Sequence, residues 1–151
     1  MHGKNKDQLV IVDADAIISF VYVDDENHLR AKKIMQHLAT TDMYLLFPTT
    51  AICEAVTVLR GRLNRPEDAK RIMHKFQSGD FPLQAVDHAI LTEAGDLFNP
   101  QGSKKNTLFD AVVAAIAKRL HANAIFSFDE WYRKIGLSLA SDLIEPAREA
   151  A

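Results

Sequence analysis

Four acidic residues are of interest because each lies beside a predicted strand or in the first turns of a predicted helix. Asp13 directly follows one short apolar run, and Asp129 closes a second one. Glu54 and Asp110 lie near the starts of two helical patterns. Carboxylate oxygens are hard ligands that favour Mg²⁺ or Mn²⁺ over zinc. Since such a cation can activate water for attack at phosphorus, these residue types predict hydrolysis of a phosphodiester bond.

The position of these acids in the expected fold supports a common site. The apolar run at 9–12 is continuous and rich in β-branched residues, which is typical of a strand buried on both faces of a parallel sheet. Ligands of open α/β sheets bind at the carboxyl ends of the strands. Asp13 and Asp129 should therefore emerge at one edge if both strands are central and parallel. Clustered carboxylates raise one another's pKa unless a cation neutralises them, so the set predicts a metal site.

Hydrophobic periodicity and turn residues predict the elements that carry these acids. Strands alternate with helices along the chain, which predicts an α/β sandwich around a mostly parallel sheet. Helices are expected at 16–22, 27–38, 49–63, 66–77, 88–98, 107–120 and 130–134, and strands at 9–12, 44–47, 81–86, 124–126 and 137–139. Leu29 and Leu120 are expected on inward helix faces, and Cys53 is expected to be a small buried filler.

Length and composition restrict the class of protein. The 151 residues show no repeat or linker and predict a single domain, 1–151, with a core at about 8–144 and frayed tails at 1–7 and 145–151. One cysteine excludes an internal disulfide. No apolar run approaches the roughly 20 residues of a membrane span, and the polar N-terminus lacks a signal peptide. We therefore expect a soluble, cytoplasmic protein.

The charge balance bears on the kind of partner. The net charge is −2 and the pI is about 6.3. Proteins that bind nucleic acid by bulk charge are usually basic, which counts against a simple nucleic-acid coat. It does not count against an enzyme that bridges its acids to phosphate through a cation.

Each acid also has an ordinary structural explanation. Asp13 suits an N-cap or turn position, and Asp110 suits a first-turn acid paired with an Asn106 cap. Glu54 is a common helix residue, and Asp129 fits a turn at a strand end. What distinguishes the set is its order, with two acids at strand ends and two at helix starts.

Four stretches of the chain, at 10–18, 47–59, 110–117 and 124–132, carry a resemblance to a known family. In order, they show a strand followed by Asp, a Pro-Thr turn leading to a helical Glu, an Asp-Ala helix, and a strand followed by Ser-x-Asp and an aromatic residue. Together they resemble the PIN-domain family, and within it the VapC-like toxins of toxin–antitoxin pairs. The resemblance implies a three-layer sandwich and an Mg²⁺- or Mn²⁺-dependent endoribonuclease. It also implies a homodimer and a small antitoxin protein that threads a segment into the acidic site.

The same resemblance assigns roles to individual residues. The core ligands that it implies are three acids, Asp13, Glu54 and Asp110. Asp129 would complete the site directly or through water, and Asp15 is an additional candidate ligand. Ser127, in the Thr/Ser position of the family, would bind an acid or orient a water. Phe128 stands where such toxins often carry a basic or polar residue, which weakens the case for a phosphate contact there.

Candidate RNA contacts lie outside the acids. Arg60, Arg62, Lys104 and Lys105 could hold RNA phosphates, although an ordinary solvated face explains each of them taken alone. Trp131 is suited to stacking on a base or, more simply, to closing the end of the core or a dimer seam.

Two other functions remain as alternatives. An inactive scaffold of the same fold would bind RNA or a protein partner, but such relatives tend to lose one acid and all four are present. The segment Asp13-Ala14-Asp15 superficially resembles the start of haloacid-dehalogenase-like phosphatases. The later lysine context that those enzymes need is missing.

Overall fold

The central feature of the fold is a parallel sheet with the strand order β3-β2-β1-β4. A computed structural model describes residues 8–144, so the predicted tails at 1–7 and 145–151 lie outside the described residues. All strand pairs of this sheet are parallel, as the sequence predicted. The strands are β1 (Leu9–Val12), β2 (Tyr44–Pro48), β3 (Leu83–Gln84) and β4 (Ala124–Phe126).

Strand β1 lies at the centre, between β2 and β4, and all of its residues are buried. Ile11 pairs with Leu46 of β2 and with Ile125 of β4. Beyond the last pair, the Asp13 amide donates to the Phe126 carbonyl at 3.0 Å. The chain segments that follow β1 and β4 therefore leave the sheet side by side at its carboxyl edge.

Helices cover both faces of the sheet, which confirms the α/β sandwich with a helical layer on each side. Alternate residues of β1 face opposite layers, because side chains alternate across a strand. Val10 and Val12 belong to the core packed under α1 to α4, whereas Leu9 and Ile11 belong to the core packed under α5 and α6. The helices are α1 (Ala14–Val21), α2 (His28–Thr40), α3 (Thr49–Arg60), α4 (Pro66–Gln77), α5 (His88–Leu97), α6 (Leu108–Arg119) and α7 (Trp131–Lys134), and a 3₁₀ helix (Ala140–Leu143) follows.

Several element boundaries differ from those predicted from the sequence. Helix α1 begins at Ala14 rather than residue 16, because the Asp13 carboxylate caps it. Helix α3 ends at Arg60, three residues earlier than predicted. Strand β3 is shorter than the predicted 81–86. The strand predicted at 137–139 is wrong: Leu139 makes only an isolated bridge to Ile125.

Three predictions of buried side chains are also wrong. Leu29 is 79% exposed and Leu120 is 40% exposed, while Ala31 takes an inward position of α2 instead. Cys53 is exposed as well. No helix in the described part of the chain is long and apolar enough to cross a membrane.

Candidate active site

Asp13 is held at the carboxyl edge of the sheet by two hydrogen bonds from different elements. Its Oδ1 accepts from the Ala14 amide at 2.7 Å, which makes it the N-cap of α1. Its Oδ2 accepts from the Tyr132 hydroxyl at 2.7 Å. Only 3% of Asp13 is exposed. Asp13 therefore caps α1 and also lies at the sheet edge where the sequence predicts the acidic site. The N-cap explanation and the metal-site explanation of Asp13 are compatible.

Asp15 is bound to the segment that follows β4. Its Oδ2 accepts from the Ser127 hydroxyl at 3.0 Å and from the Phe128 amide at 2.8 Å. The Ser127 oxygen in turn accepts from the Asp129 amide at 3.1 Å. The other carboxylate oxygen, Oδ1, is buried without a hydrogen-bond partner among the described residues. One hydroxyl thus links two of the acids and leaves an Asp15 oxygen available.

Asp110 and Asp129 are fixed by the loop before α6 and by the start of α7. The Asp110 Oδ2 accepts from the Thr107 amide at 2.9 Å. Thr107 is the N-cap of α6, so the Asn106 cap predicted from the sequence is wrong. The Asn106 side-chain Nδ2 instead donates to the Asp129 Oδ2 at 3.0 Å, and the Trp131 backbone amide donates to the Asp129 Oδ1 at 2.9 Å.

Glu54 projects from α3 and is half-buried. Its Oε2 is buried without a hydrogen-bond partner in the described part of the chain. Burial, followed by the charges of Asp110 and Asp15, raises the pKa of Glu54 to about 7. Such an environment favours either a proton or a cation at this carboxylate.

The electrostatics show that these acids share one region, which we call the acidic cluster: Asp13, Asp15, Glu54, Asp110 and Asp129. Burial and then the charges of Asp15 and Asp110 raise the pKa of Asp13 well above its usual value. Burial raises the pKa of Asp15 to about 6, although hydrogen bonds from Phe128 and Ser127 oppose the shift. The pKa of Asp110 is raised, first by burial and further by the charge of Asp129.

Tyr132 belongs to the same region, although the sequence interpretation assigned it no role. It is completely buried, and burial followed by the charge of Asp13 raises its pKa well above the usual value. Its hydroxyl therefore remains a hydrogen-bond donor at neutral pH. The aromatic position after Asp129 was part of the motif, but order alone could not reveal that its hydroxyl contacts an acid 119 residues earlier.

The donor set of the acidic cluster suits a hard divalent cation. All of its donors are carboxylate oxygens, which Mg²⁺ and Mn²⁺ prefer. Two of these oxygens, on Asp15 and Glu54, are buried and have no hydrogen-bond partner within residues 8–144. Within residues 8–144, no three Asp, Glu, His or Cys side chains already stand close enough to hold an ion between them. The chemistry of these carboxylate oxygens fits Mg²⁺ or Mn²⁺.

The predicted basic contacts lie on the protein surface. Arg60, Arg62, Lys104 and Lys105 are all exposed. A cation that the sequence interpretation missed, Arg30 of α2, lies 5.2 Å above the ring of Phe128. Phe128, at the position where such toxins often carry a basic or polar residue, thus has an arginine from another element above its ring.

By fold and site, the chain is a parallel α/β protein that gathers carboxylates at the carboxyl edge of its sheet. Residues 10–137 match the PIN-domain family. Since this match spans most of the sequence, the chain belongs to the PIN-domain family, and the resemblance read from its motifs is confirmed.

A solved structure gives an independent comparison of the fold. The VapC20 toxin of Mycobacterium tuberculosis, which cleaves the sarcin-ricin loop, superposes with a TM-score of 0.72. The superposition covers 85% of this chain and 95% of that toxin, at 16% sequence identity. At this identity the similarity shows the fold alone. No curated protein matches the sequence.

Proposed function

We propose that this protein is a metal-dependent endoribonuclease that hydrolyses phosphodiester bonds at the acidic cluster. The observation that carries the proposal is a pair of buried carboxylate oxygens, Asp15 Oδ1 and Glu54 Oε2, that have no hydrogen-bond partner among the described residues and lie among acids that raise one another's pKa. Buried polar atoms are normally paired. A divalent cation would neutralise the negative charge of the acids and would be coordinated by these two oxygens.

The proposed roles of the residues follow from their contacts. The acids that would hold Mg²⁺ or Mn²⁺ are Asp13, Glu54 and Asp110, with Asp129 and Asp15 completing the set directly or through water. When bound, the cation supplies activation of water and stabilisation of charge at phosphorus. Ser127 holds Asp15 and the Asp129 backbone in place. These hydrogen bonds fix the Asp15 carboxylate and the Asp129 backbone before substrate arrives, which lowers the cost of ordering them.

We further propose that the enzyme is the toxin of a type II toxin–antitoxin pair. The motif resemblance and the fold shared with a toxin that cleaves the sarcin-ricin loop support this proposal. The partners would be an RNA substrate, an antitoxin protein and a second copy of this chain, in the cytoplasm. Arg60, Arg62, Lys104 and Lys105 are proposed to contact RNA phosphates, since all four are exposed.

The enzymatic proposal is tested by comparing an RNA strand with its DNA counterpart as substrates in Mg²⁺ or Mn²⁺. The parent protein should cut the RNA, and Asp13→Asn should reduce the rate by at least about 100-fold. Asp96→Asn is the matched control, because Asp96 is an exposed acid on α5 outside the acidic cluster. Equal cutting of RNA by the parent and Asp13→Asn would exclude this site as the catalytic one.

The toxin proposal is tested in growing cells. Induced expression of the parent should arrest growth and produce discrete RNA fragments, whereas Asp110→Asn should do neither at the same protein level. Normal growth with the parent, together with metal-dependent RNA cleavage in vitro, would contradict the toxin role and leave the enzyme intact.

A further inference from the structure

A buried tyrosine provides the one hydroxyl contact to Asp13 that the described residues show. Tyr132 is 0% exposed, and its hydroxyl lies 2.7 Å from the Asp13 Oδ2. Its ring packs against Trp131 with the centroids 5.3 Å apart. Its carbonyl accepts from the Leu137 amide at 3.0 Å. The hydroxyl is therefore held in place by both the ring and the backbone.

We propose that Tyr132 is a positioning residue that sets the orientation of the Asp13 carboxylate toward the divalent cation. The inference rests on the proposed metal-dependent nuclease. Among the described residues, Asp13 receives one hydrogen bond on each oxygen, from Ala14 on one side and Tyr132 on the other. Two bonds on different oxygens fix the rotation of the carboxylate plane, whereas one bond leaves it free to turn. Each oxygen keeps a further lone pair for a cation.

The hydrogen bond also joins the two halves of the site. Asp13 follows β1, while Tyr132 lies on α7, the element that follows β4 and the Asp129 turn. The Trp131 amide on the same helix binds Asp129. A displacement of α7 would therefore disturb Asp13 and Asp129 together. Partners that orient a metal ligand in this way typically change metal affinity or activity by 10–100-fold when they are removed.

A purely structural role of Tyr132 makes a different prediction. Tyr132→Phe keeps the ring and removes only the hydroxyl oxygen. If the ring serves packing alone, this change alters the melting temperature and leaves the affinity for metal unchanged. If the hydroxyl orients Asp13, the affinity falls even where the variant is fully folded.

The test is calorimetric titration of Mn²⁺ into the folded, full-length protein without RNA. We expect Tyr132→Phe to raise the dissociation constant for Mn²⁺ by about 10-fold or more. It should also lower kcat for RNA cleavage with little change in KM. Tyr22→Phe is the matched control, because Tyr22 is a half-buried tyrosine at the end of α1 that contacts Arg65 rather than the acidic cluster. It should match the parent.

A double-mutant cycle with Asp13→Asn isolates the contact. In the Asp13→Asn background, Tyr132→Phe should cause no further loss of Mn²⁺ affinity. Parental affinity and kcat in Tyr132→Phe would overturn the inference while the parent's metal-dependent cleavage still supports the nuclease. A parent that neither binds Mn²⁺ nor cuts RNA would overturn the nuclease, and the inference with it.

Discussion

At the scale of one residue, Glu54 shows that the environment of the site disfavours a charged carboxylate. One of its carboxylate oxygens is buried without a hydrogen-bond partner in the part of the chain that the structure describes, and its pKa is raised to about 7. A carboxylate whose folded pKa is raised destabilises the folded state once the pH exceeds the unfolded value of 4.5. This cost is absent in acid, grows as the pH rises, and is complete above the folded pKa.

Neutralising Glu54 should therefore stabilise the metal-free protein at neutral pH. In EDTA at about pH 8, Glu54→Gln should raise the melting temperature by a few degrees, since about 1 kcal/mol corresponds to roughly 2–4 °C in a domain of this size. The partial exposure of Glu54 keeps the effect small because solvent screens part of it. The difference should vanish near pH 4. Differential scanning fluorimetry measures this difference in melting temperature. The control is Glu67→Gln, because Glu67 is an exposed acid on α4. A lower melting temperature of Glu54→Gln at pH 8 would contradict the argument.

Individual contacts were harder to predict from the sequence than the positions of the acids. The strand ends and helix starts indicated where Asp13 and Asp110 belong, because local pattern fixes an acid's place in its own element. The partners of Asp13 and Asp15 lie 119 and 112 residues away. Such contacts depend on how two separate elements dock, which no local spacing encodes.

At the scale of elements, α4 shows how one buried acid organises a helix start. Asp68 is 1% exposed and accepts hydrogen bonds from Arg65, at 2.8 Å, and from Arg71. Burial opposes its ionisation, but the two arginines outweigh burial and lower its pKa. Arg65 also lies 5.5 Å above the ring of Tyr22 at the end of α1. Asp68 thereby links α4 to α1.

Removing the charge of Asp68 should destabilise the fold without involving the acidic cluster. Asp68→Asn should cost about 1.5–3 kcal/mol, the range for hydrogen bonds to charged groups, seen as a lower urea midpoint at neutral pH. Glu67→Gln, an exposed acid in the same first turn, should change the midpoint little. Equal midpoints for the parent and Asp68→Asn would show that the two arginines are satisfied as well by water.

Elements were predictable where local signals agreed. Helix α4 begins at Pro66 and ends at Gln77 as predicted, because proline suits a first turn and Gly79 adopts a positive φ after the end. The segment at 137–139 has an apolar pattern suited to a strand, yet only Leu139 pairs with Ile125. Pairing at a sheet edge depends on tertiary placement, and here the chain turns into the 3₁₀ helix instead.

At the scale of the whole molecule, the acidic cluster couples metal binding to stability and pH. The pKa of Glu54 is about 7 and that of Asp15 about 6 in the absence of metal, so below these values a cation must displace protons. A cation that binds only the folded state stabilises it, and the stabilisation grows with the logarithm of the cation concentration divided by the dissociation constant. The stabilisation should therefore increase with pH across this range.

Mn²⁺ should raise the melting temperature more at about pH 7.5 than at about pH 5.5. At a concentration near 100 times the dissociation constant, binding contributes about 2.7 kcal/mol, or roughly 5–10 °C in a domain of this size. Thermal unfolding with Mn²⁺ and with EDTA at both pH values provides the measurement. The same rise in melting temperature at both pH values, or no rise at either, would show that the carboxylates with raised pKa values do not bind the ion.

The overall architecture was the most predictable feature of the molecule. Alternating apolar strands and amphipathic helices indicated an α/β sandwich, and the order of four acids indicated one sheet edge. The strand order could not be read from these patterns, because each strand alone is compatible with several neighbours. The central position of β1 comes from pairing on both sides, with β2 and with β4.

The most direct test of the central claim is cleavage of a mixed RNA substrate by the parent and by Asp110→Asn, with Mg²⁺, with Mn²⁺ and with EDTA. Asn keeps an oxygen that can accept from the Thr107 amide, so the variant should remain folded while losing a charged ligand. We predict cutting by the parent with either metal, no cutting in EDTA, and a loss of at least about 100-fold in the cleavage rate of Asp110→Asn. Cutting that persists in EDTA, or equal cutting by the folded variant, would contradict this prediction.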